Sequence, residues 1–159
     1  MIDKELSPEK AIERAQFLCA RQERCSDDIR KKLVQWKVPV SSIDLIIKKL
    51  VADGFLNDER FALMFARDKS KFNKWGPHKI SYALKAKHFS EETIKKALGE
   101  IELSMDQSSL VEILTKKAKS VKSKSPYDLK VKLIRFGLSR GFEYEQVNKA
   151  VALIFRGDL

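Results

Sequence analysis

Hydrophobic positions recur at helical spacing in three similar segments of the chain, about fifty residues apart. Each segment opens with a helix-start residue and then has two apolar residues four positions apart, in residues 26–33, 76–84 and 125–133. Each is followed by an apolar pair five positions apart: Val38 and Ile43, Phe89 and Ile94, Phe142 and Val147. Repetition at this period is typical of arrays of small supersecondary units. Such arrays offer extended binding surfaces more often than a single catalytic pocket.

Polar residues at the segment boundaries predict where the helices begin. Ser7 before Pro8 is a capping residue followed by proline at the first helical position, where proline's missing N–H costs nothing. Helix one is expected to end near Glu23. We expect other polar side chains to cap the later helices: Ser26, Ser41 or Ser42, Asn57 or Asp58, Ser90, and Ser125 with Asp128 as a capping-box-like acid.

The pattern as a whole predicts an all-α fold of about nine helices, because no strand-like alternation competes with the helical spacing. We expect a tandem, elongated array of three three-helix units, with boundaries at 7–56, 57–103 and 104–159. Short links fall near 54–58 and 102–107, and the second, more polar link is the better candidate for a hinge. Leu133 and Phe142 are nine residues apart where the other units have five, which predicts one additional helical turn in the third unit.

Composition limits the class of protein. A hydrophobic content of 43% is ordinary for a folded chain of 159 residues. Cys19 and Cys25, the only cysteines, beside 34% charged residues indicate a reducing compartment. The opening residues are unlike a signal peptide, and no apolar run approaches the ~20 residues of a membrane span. We therefore expect a soluble protein of the cytoplasm that has no membrane partner.

Positive charge is concentrated in two windows of the sequence. Residues 67–87 contain seven basic residues and one acid, and residues 116–140 contain nine basic residues and one acid. These windows carry +14 of charge against a whole-chain net charge of +10, so the remainder is acidic at −4. Charge that serves only solubility has no reason to cluster in this way. Clustering of this kind indicates a polyanionic partner.

The basic residues of the windows are the predicted binding site. Phe72 and Trp75 are interleaved with them, and cations with aromatic rings are what a groove for single-stranded nucleic acid requires. Two simpler interpretations stay open: the rings close the core, with Phe72 facing inward on helix four, and the lysines form a solvated face. The predicted site comprises Arg67, Lys69, Lys71, Lys74, Lys79, Lys85, Lys87, Lys116, Lys117, Lys119, Lys122, Lys124, Lys130, Lys132, Arg135 and Arg140.

Other chemistries have little support in the sequence. His78 and His88 are not one helical turn apart, and the two cysteines are too far apart to form a metal-binding pair. No nucleophile with its base and no glycine-rich phosphate loop is evident, so we expect neither an enzyme nor a bound cofactor or metal. The three-helix units could also be helix-turn-helix readers of duplex DNA, but lysine dominates the faces where arginine, asparagine or glutamine would read bases.

Two stretches of the chain resemble signatures of the RecX regulatory proteins. Residues 56–62, 65–67 and 76–80 (LNDERFA, FAR and GPHKI) are similar to the central signature, and residues 136–142 (FGLSRGF) to the C-terminal one. Residues 25–33 (CSDDIRKKL) fit the opening repeat of the family. The resemblance covers nearly the whole chain. Ser139 and the run Asn73-Lys74-Trp75 depart from the usual basic residues of the family.

The resemblance implies a non-enzymatic regulator of the RecA recombinase, and we expect the protein to be a monomer. Members of the family bind RecA filaments on single-stranded DNA, lie along the groove, and restrain strand exchange and ATP hydrolysis. The expected partners are therefore the RecA filament and single-stranded or duplex DNA, in recombination, DNA repair and the SOS response. Two alternatives stay open: a general DNA-binding helical protein without a RecA role, and a scaffold that binds only proteins.

Overall fold

The fold consists of nine α-helices within residues 5–102 and 107–157, the part of the chain that the computed structural model describes. No strand occurs in that part, so the predicted all-α class is confirmed. Residues 103–106, where the hinge is predicted, lie outside the described residues. The helices are α1 (Pro8–Arg21), α2 (Ser26–Gln35), α3 (Val40–Ala52), α4 (Asp58–Lys71), α5 (Pro77–Ala86), α6 (Glu91–Glu102), α7 (Gln107–Ser120), α8 (Pro126–Ser139) and α9 (Tyr144–Arg156).

Several predicted helix caps are present. The Ser7 hydroxyl accepts the amide of Lys10, and the Ser90 hydroxyl accepts the amide of Thr93. The Asn57 side chain accepts the amide of Arg60, and the Ser125 hydroxyl accepts the amide of Asp128. These bonds satisfy helix N–H groups that have no partner inside the helix. The serine caps at the N-termini of α1, α6 and α8 and the asparagine cap of α4 are therefore confirmed.

Three predictions about helix ends are wrong. Cys25 occupies the cap position of α2, and the amide of Ser26 instead donates to the Asp58 carboxylate across 2.9 Å. Helix α3 begins at Val40 after Pro39, so Ser41 and Ser42 lie inside it. Helix α1 ends at Arg21 rather than near Glu23. The acceptor for the first amide of α2 belongs to Asp58, 32 residues away in sequence, so the local sequence pattern could not predict it.

The predicted additional turn in the third repeat is confirmed. Helix α8 has 14 residues, whereas α2 and α5 have 10 each. All three are followed by a residue with positive φ: Lys37 at 56°, His88 at 65° and Gly141 at 95°. A left-handed residue after a helix is a common stop because it turns the next amides back to the last carbonyls. The three repeats therefore share one turn geometry.

The described residues form two compact units. The N-terminal unit comprises residues 5–62 and 87–89, and its core includes the fully buried Ile29, Leu33 and Leu50. Its surface contacts include a salt bridge of 3.0 Å between Lys87 and Asp28. This division places the first boundary inside α4, and the predicted three-part boundaries at 56/57 and 103/104 stay a prediction.

The C-terminal unit comprises residues 63–86, 90–102 and 107–157. Leu114, Leu133, Val147 and Val151 are buried where α7, α8 and α9 pack together. Gly137 allows α8 to approach α9 closely, because a Cβ added there would lie 2.7 Å from a methyl group of Val147. Close helix packing of this kind fixes the position of α8 and, with it, the basic residues on its surface.

Candidate nucleic-acid interface

Lysine side chains lie around the ring of Trp75, in the segment between α4 and α5. The Nζ atoms of Lys69 and Lys79 lie 4.9 and 4.8 Å from a Trp75 ring centroid, and Phe65 meets Trp75 edge to face at 6.5 Å. Ammonium groups over an indole ring are attracted by its quadrupole. Trp75 is half-buried among these side chains, so its own neighbours already cover part of its surface.

Phe72 does not face inward as expected. Its side chain is 71% exposed, because α4 ends at Lys71 and the chain leaves the helical register there. The Nζ of Lys71 lies 5.3 Å from the Phe72 ring centroid. An exposed ring beside a cation remains available to a partner, as the nucleic-acid interpretation of the sequence requires.

A backbone contact joins the two basic windows inside the C-terminal unit. The amide of Gly76 donates to the carbonyl of Arg140 at 2.6 Å, and the amide of His78 donates to the carbonyl of Gly141 at 2.9 Å. Gly76 is buried, and a Cβ on it would overlap the Gly141 backbone. Glycine is needed where two backbones approach this closely. Lys79 and Arg140, which are distant in sequence, are thereby held on either side of one junction.

Beside this junction, two adjoining cavities of about 330 and 440 Å³ follow α7. Both cavities are lined by Lys74, Ser109 and Ile113, so we treat them as one feature, the α7 cleft. Apolar side chains of Ile101, Phe136 and Phe142 contribute to its walls. The cations that line it are Arg67, Lys71, Lys74, Lys116, Lys117 and Arg140.

The charge of the cleft is poorly compensated. Arg67 is paired with Glu100 at 2.7 Å, and among the side chains that the structure describes Glu112 is the one acidic residue in the lining. Among the described residues, no carboxylate lies within 4.0 Å of the charged nitrogens of the other five lining cations. Lys117 and Arg140 lie instead over the Phe136 ring, at 4.8 and 5.7 Å from its centroid. The cleft is therefore a cationic surface with an aromatic wall.

Some predicted site residues have partners in the protein itself. Lys87 contacts Asp28, and its Nζ also lies 5.7 Å from the Phe61 ring. Lys132 is bonded to Asp128 at 3.0 Å and to the carbonyl of Lys122 at 2.6 Å. These contacts give Lys87 and Lys132 structural roles. The remaining predicted residues are exposed and outside the α7 cleft: Lys85, Lys119, Lys122, Lys124, Lys130 and Arg135.

Residues 107–117 of α7 supply parts of the cleft that were not predicted from sequence. Ser109, Glu112 and Ile113 line it together with Lys116, at intervals of three and four residues that place them on one helix face. Phe136 was noted only as part of a family signature. The helical spacing of Ser109, Ile113 and Lys116 was a usable signal, but only the position of α8 and the α4–α5 segment shows what that face meets.

Reactive groups are not concentrated in the described residues. No group of three or more His, Cys, Asp or Glu side chains there is placed to hold a metal ion. Burial raises the pKa of the Cys25 thiol to about 11 and raises that of Cys19 as well, which disfavours the nucleophilic thiolate form. Among residues 5–102 and 107–157, no helix has the length and hydrophobicity to span a membrane.

Two sequence profiles of one protein family match the chain in order. The profile described as "RecX, second three-helix domain" matches residues 57–98, and "RecX, third three-helix domain" matches residues 105–151. The protein named "Regulatory protein RecX" in Haemophilus ducreyi is 30% identical over 141 residues, covering 86% of this chain and 87% of its own length.

A second relative, "Regulatory protein RecX" of Clostridium perfringens (strain 13), is 32% identical over 126 residues, covering 78% of this chain. The matched region spans only 58% of the length of that relative. The crystal structure of RecX from Lactobacillus salivarius is similar with a TM-score of 0.80 and 21% identity, covering 91% of this chain and 94% of that one. At this identity, the structural likeness concerns the fold.

Proposed function

The chain belongs to the RecX family of regulatory proteins, and from that premise we propose that it is a non-enzymatic regulator of RecA filaments assembled on single-stranded DNA. In this proposal it binds along the filament groove in the cytoplasm, acts as a monomer, and inhibits or modulates strand exchange and ATP hydrolysis by RecA. DNA repair, recombination and the SOS response are the processes it would affect. The ordered match to two family domains is the observation that carries the proposal.

The distribution of charge supports a polyanionic target of this kind. The two basic windows meet at the Gly76–Arg140 contact, and Lys71, Lys74, Lys116, Lys117 and Arg140 lie on the same cleft. Cations without carboxylate partners stabilise a complex by neutralising phosphates and releasing counterions. Because several weak contacts to successive subunits of a polymer reinforce one another, a filament would be bound more tightly than a single RecA monomer.

A specific test is DNA strand exchange driven by purified RecA with the protein added at near-stoichiometric amounts. Inhibition, together with a change in the rate of ATP hydrolysis by RecA, is the expected result. Absence of any effect on either reaction at that ratio would refute the proposal.

A general DNA-binding role without RecA is the second candidate, and the cationic cleft favours it as well. If that role is correct, the effect on RecA disappears at the salt concentration that abolishes binding to bare DNA. Neutralising six phosphates of a single strand would give a log–log salt slope of about −4. Under the leading proposal, direct contacts with RecA preserve part of the effect above that salt concentration.

A further inference from the structure

The α7 cleft combines a cationic rim, which suits phosphate groups, with an apolar and aromatic wall, which suits a flat ring. We infer that it receives an unstacked base of a single DNA strand, with the flanking phosphates held by the lysines of its rim. This inference rests on the proposed function, since it names the component of the filament, its single strand, that the cleft would contact. Each of the two cavities, at about 330 and 440 Å³, falls within the range of sites that hold small organic groups.

Helix α7 supplies one continuous side of the cleft. Ser109, Ile113, Lys116 and Ser120 follow one another at intervals of four, three and four residues, so they form a row on one face. At 1.5 Å per residue, this row is roughly 16 Å long. The row therefore carries small, apolar and cationic side chains in turn, so both the bases and the phosphates of a single DNA strand could lie along it.

Cations stand at the rim of the cleft, where phosphates would pass. Lys71, Lys74 and Lys116 are exposed, and no carboxylate among the described residues pairs with them. Lys74 is also held at a φ of 56°, a left-handed conformation that fixes the direction of the chain after α4. These ammonium groups can bind phosphate without first breaking an ion pair inside the protein.

The wall of the cleft suits a flat aromatic group. The Arg140 guanidinium lies 5.7 Å from the Phe136 centroid, and its Nη2 is anchored by the carbonyl of Asn73 at 2.6 Å. Aromatic side chains and guanidinium planes are the surfaces on which unstacked bases lie in proteins that bind single strands. The anchoring leaves this plane ordered before any ligand arrives, which reduces the entropy lost on binding.

A single strand fits these features better than the other polyanions. Bases of a duplex are paired and stacked, so they could not enter a cleft without being extruded. An acidic peptide would satisfy the lysines but would leave the aromatic wall without a matching group. The combination of unpaired cations and an apolar recess therefore favours a nucleotide ligand.

The test is fluorescence anisotropy with a labelled oligothymidylate and with an abasic oligomer of the same length, both bound to the whole protein without RecA. Because stacking of a base contributes roughly 1–3 kcal/mol, which is about 5- to 150-fold in affinity, we expect the abasic oligomer to bind at least fivefold more weakly. Equal affinity for the two oligomers would overturn the inference, and so would failure of the oligothymidylate to bind.

Paired variants locate the binding. Ser109→Trp fills the cleft without changing its charge, and we expect it to weaken oligothymidylate binding about tenfold. Ser123→Trp, in the exposed segment between α7 and α8, should have no effect. Lys116→Gln should weaken binding more than Lys130→Gln, which removes the same charge from an exposed site outside the cleft. If Ser109→Trp does not fold, the lysine pair alone decides. Equal losses from the lysine pair would show a diffuse electrostatic surface instead.

A third measurement separates this inference from the proposed function. Suppose that an acidic peptide displaces the oligothymidylate and that the protein does not prefer the oligothymidylate over the abasic oligomer. The cleft would then be assigned to a protein partner, and the inference would be overturned. The strand-exchange assay is independent, because it reports on RecA. Wild-type protein that binds through the cleft but leaves RecA unaffected would refute the regulatory role alone. If the Ser109→Trp variant inhibits RecA as well as the wild-type protein does, and the protein binds the two oligomers with equal affinity, the inference about the cleft alone is refuted.

Discussion

The backbone amide of Gly76 donates a hydrogen bond to the backbone carbonyl of Arg140 across 2.6 Å, although 64 residues separate them. The contact involves no side chain, and it is possible because Gly76 has none. It fixes the N-terminus of α5 against the turn between α8 and α9, next to the α7 cleft. Variants at this contact therefore test how strongly the stability of the fold depends on this close backbone approach.

Gly76→Ala should destabilise the protein, because its Cβ would overlap the Gly141 backbone, which cannot move aside as a flexible side chain can. Overpacking of this kind costs about 1–3 kcal/mol. Gly99→Ala is the matched control: Gly99 lies in α6 with nothing within 4 Å of an added Cβ. Alanine in a helix interior is favoured over glycine by roughly 0.5–1 kcal/mol, so the control should gain stability. Urea unfolding measures both, and a Gly76→Ala variant as stable as wild type would contradict the structure.

Gly137→Ala tests the close approach of α8 to α9. An added Cβ would lie 2.7 Å from the Val147 side chain, and the expected net loss is about 1–3 kcal/mol despite the better helix propensity of alanine. Val147→Ala should cost stability by itself because it removes buried methyl groups. The double variant should lose less stability than the sum of the losses in the two single variants, since the smaller residue makes room for the new methyl group. Strict additivity in a double-mutant cycle would show that the two positions do not touch.

The positions that follow α2 and α8 test the shared turn. Gly141→Ala should destabilise strongly, because φ is 95° and the new Cβ would lie 2.5 Å from the Lys79 amide. Lys37→Gly at the equivalent turn should be neutral or stabilising by up to about 1 kcal/mol, because glycine removes the steric cost of the left-handed conformation but increases the entropy of the unfolded chain. Melting temperatures of the two variants should thus shift in opposite directions or differ greatly in size.

Asp27 should make stability depend on acid pH. Burial opposes ionisation of its carboxyl, but hydrogen bonds from His88 and Lys31 outweigh burial and hold its pKa below the usual 3.8. A lowered pKa in the folded state means that the carboxylate stabilises the fold above pH 3.8 and loses this contribution as the pH falls through the folded value. Asp27→Asn should therefore reduce the melting temperature at pH 6 and converge with wild type at low pH. A constant difference at every pH would exclude ionisation as the cause.

Charge reversal tests the binding surface as a whole. Replacing Lys116, Lys119 and Lys130 by glutamate should abolish binding to RecA–DNA filaments while helicity and melting change little, since all three are exposed. The control replaces Lys48, Lys95 and Lys149, three exposed lysines outside both windows, and changes the net charge equally. Co-sedimentation with filaments distinguishes the two triple variants. Loss of stability in the first would mean that the stems of these lysines cover the core.

Local pattern predicted those parts of the fold that local physics determines. Helical periodicity located all nine helices of the described residues, and the nine-residue spacing from Leu133 to Phe142 predicted the long α8. Prediction failed where distant residues intervene. Asp58 provides the acceptor at the start of α2, and the end of α4 at Lys71 leaves Phe72 exposed.

The candidate site shows the same limit. Its cations could be identified as a group because they cluster in sequence, but sequence could not separate those in the cleft from those with partners in the protein. Lys116 and Lys132 look equivalent in a list of basic residues, yet Lys132 is held by Asp128 and Lys116 is not. The cleft itself depends on the packing of α7, α8 and the α4–α5 segment, which no single stretch of sequence encodes.

The bond between Asp58 and the Ser26 amide has a consequence for dissecting this chain by proteolysis or truncation. A fragment cut after Leu56 keeps every residue of the first sequence repeat but loses the acceptor for α2, the Arg60 partner of Glu23 at 2.6 Å, and the Lys87 partner of Asp28. The beginning of α4 and the turn 87–89 complete the fold of the residues that precede them. Duplication of the first repeat alone would therefore add a copy of α2 whose first amide has its acceptor in the residues that follow the repeat.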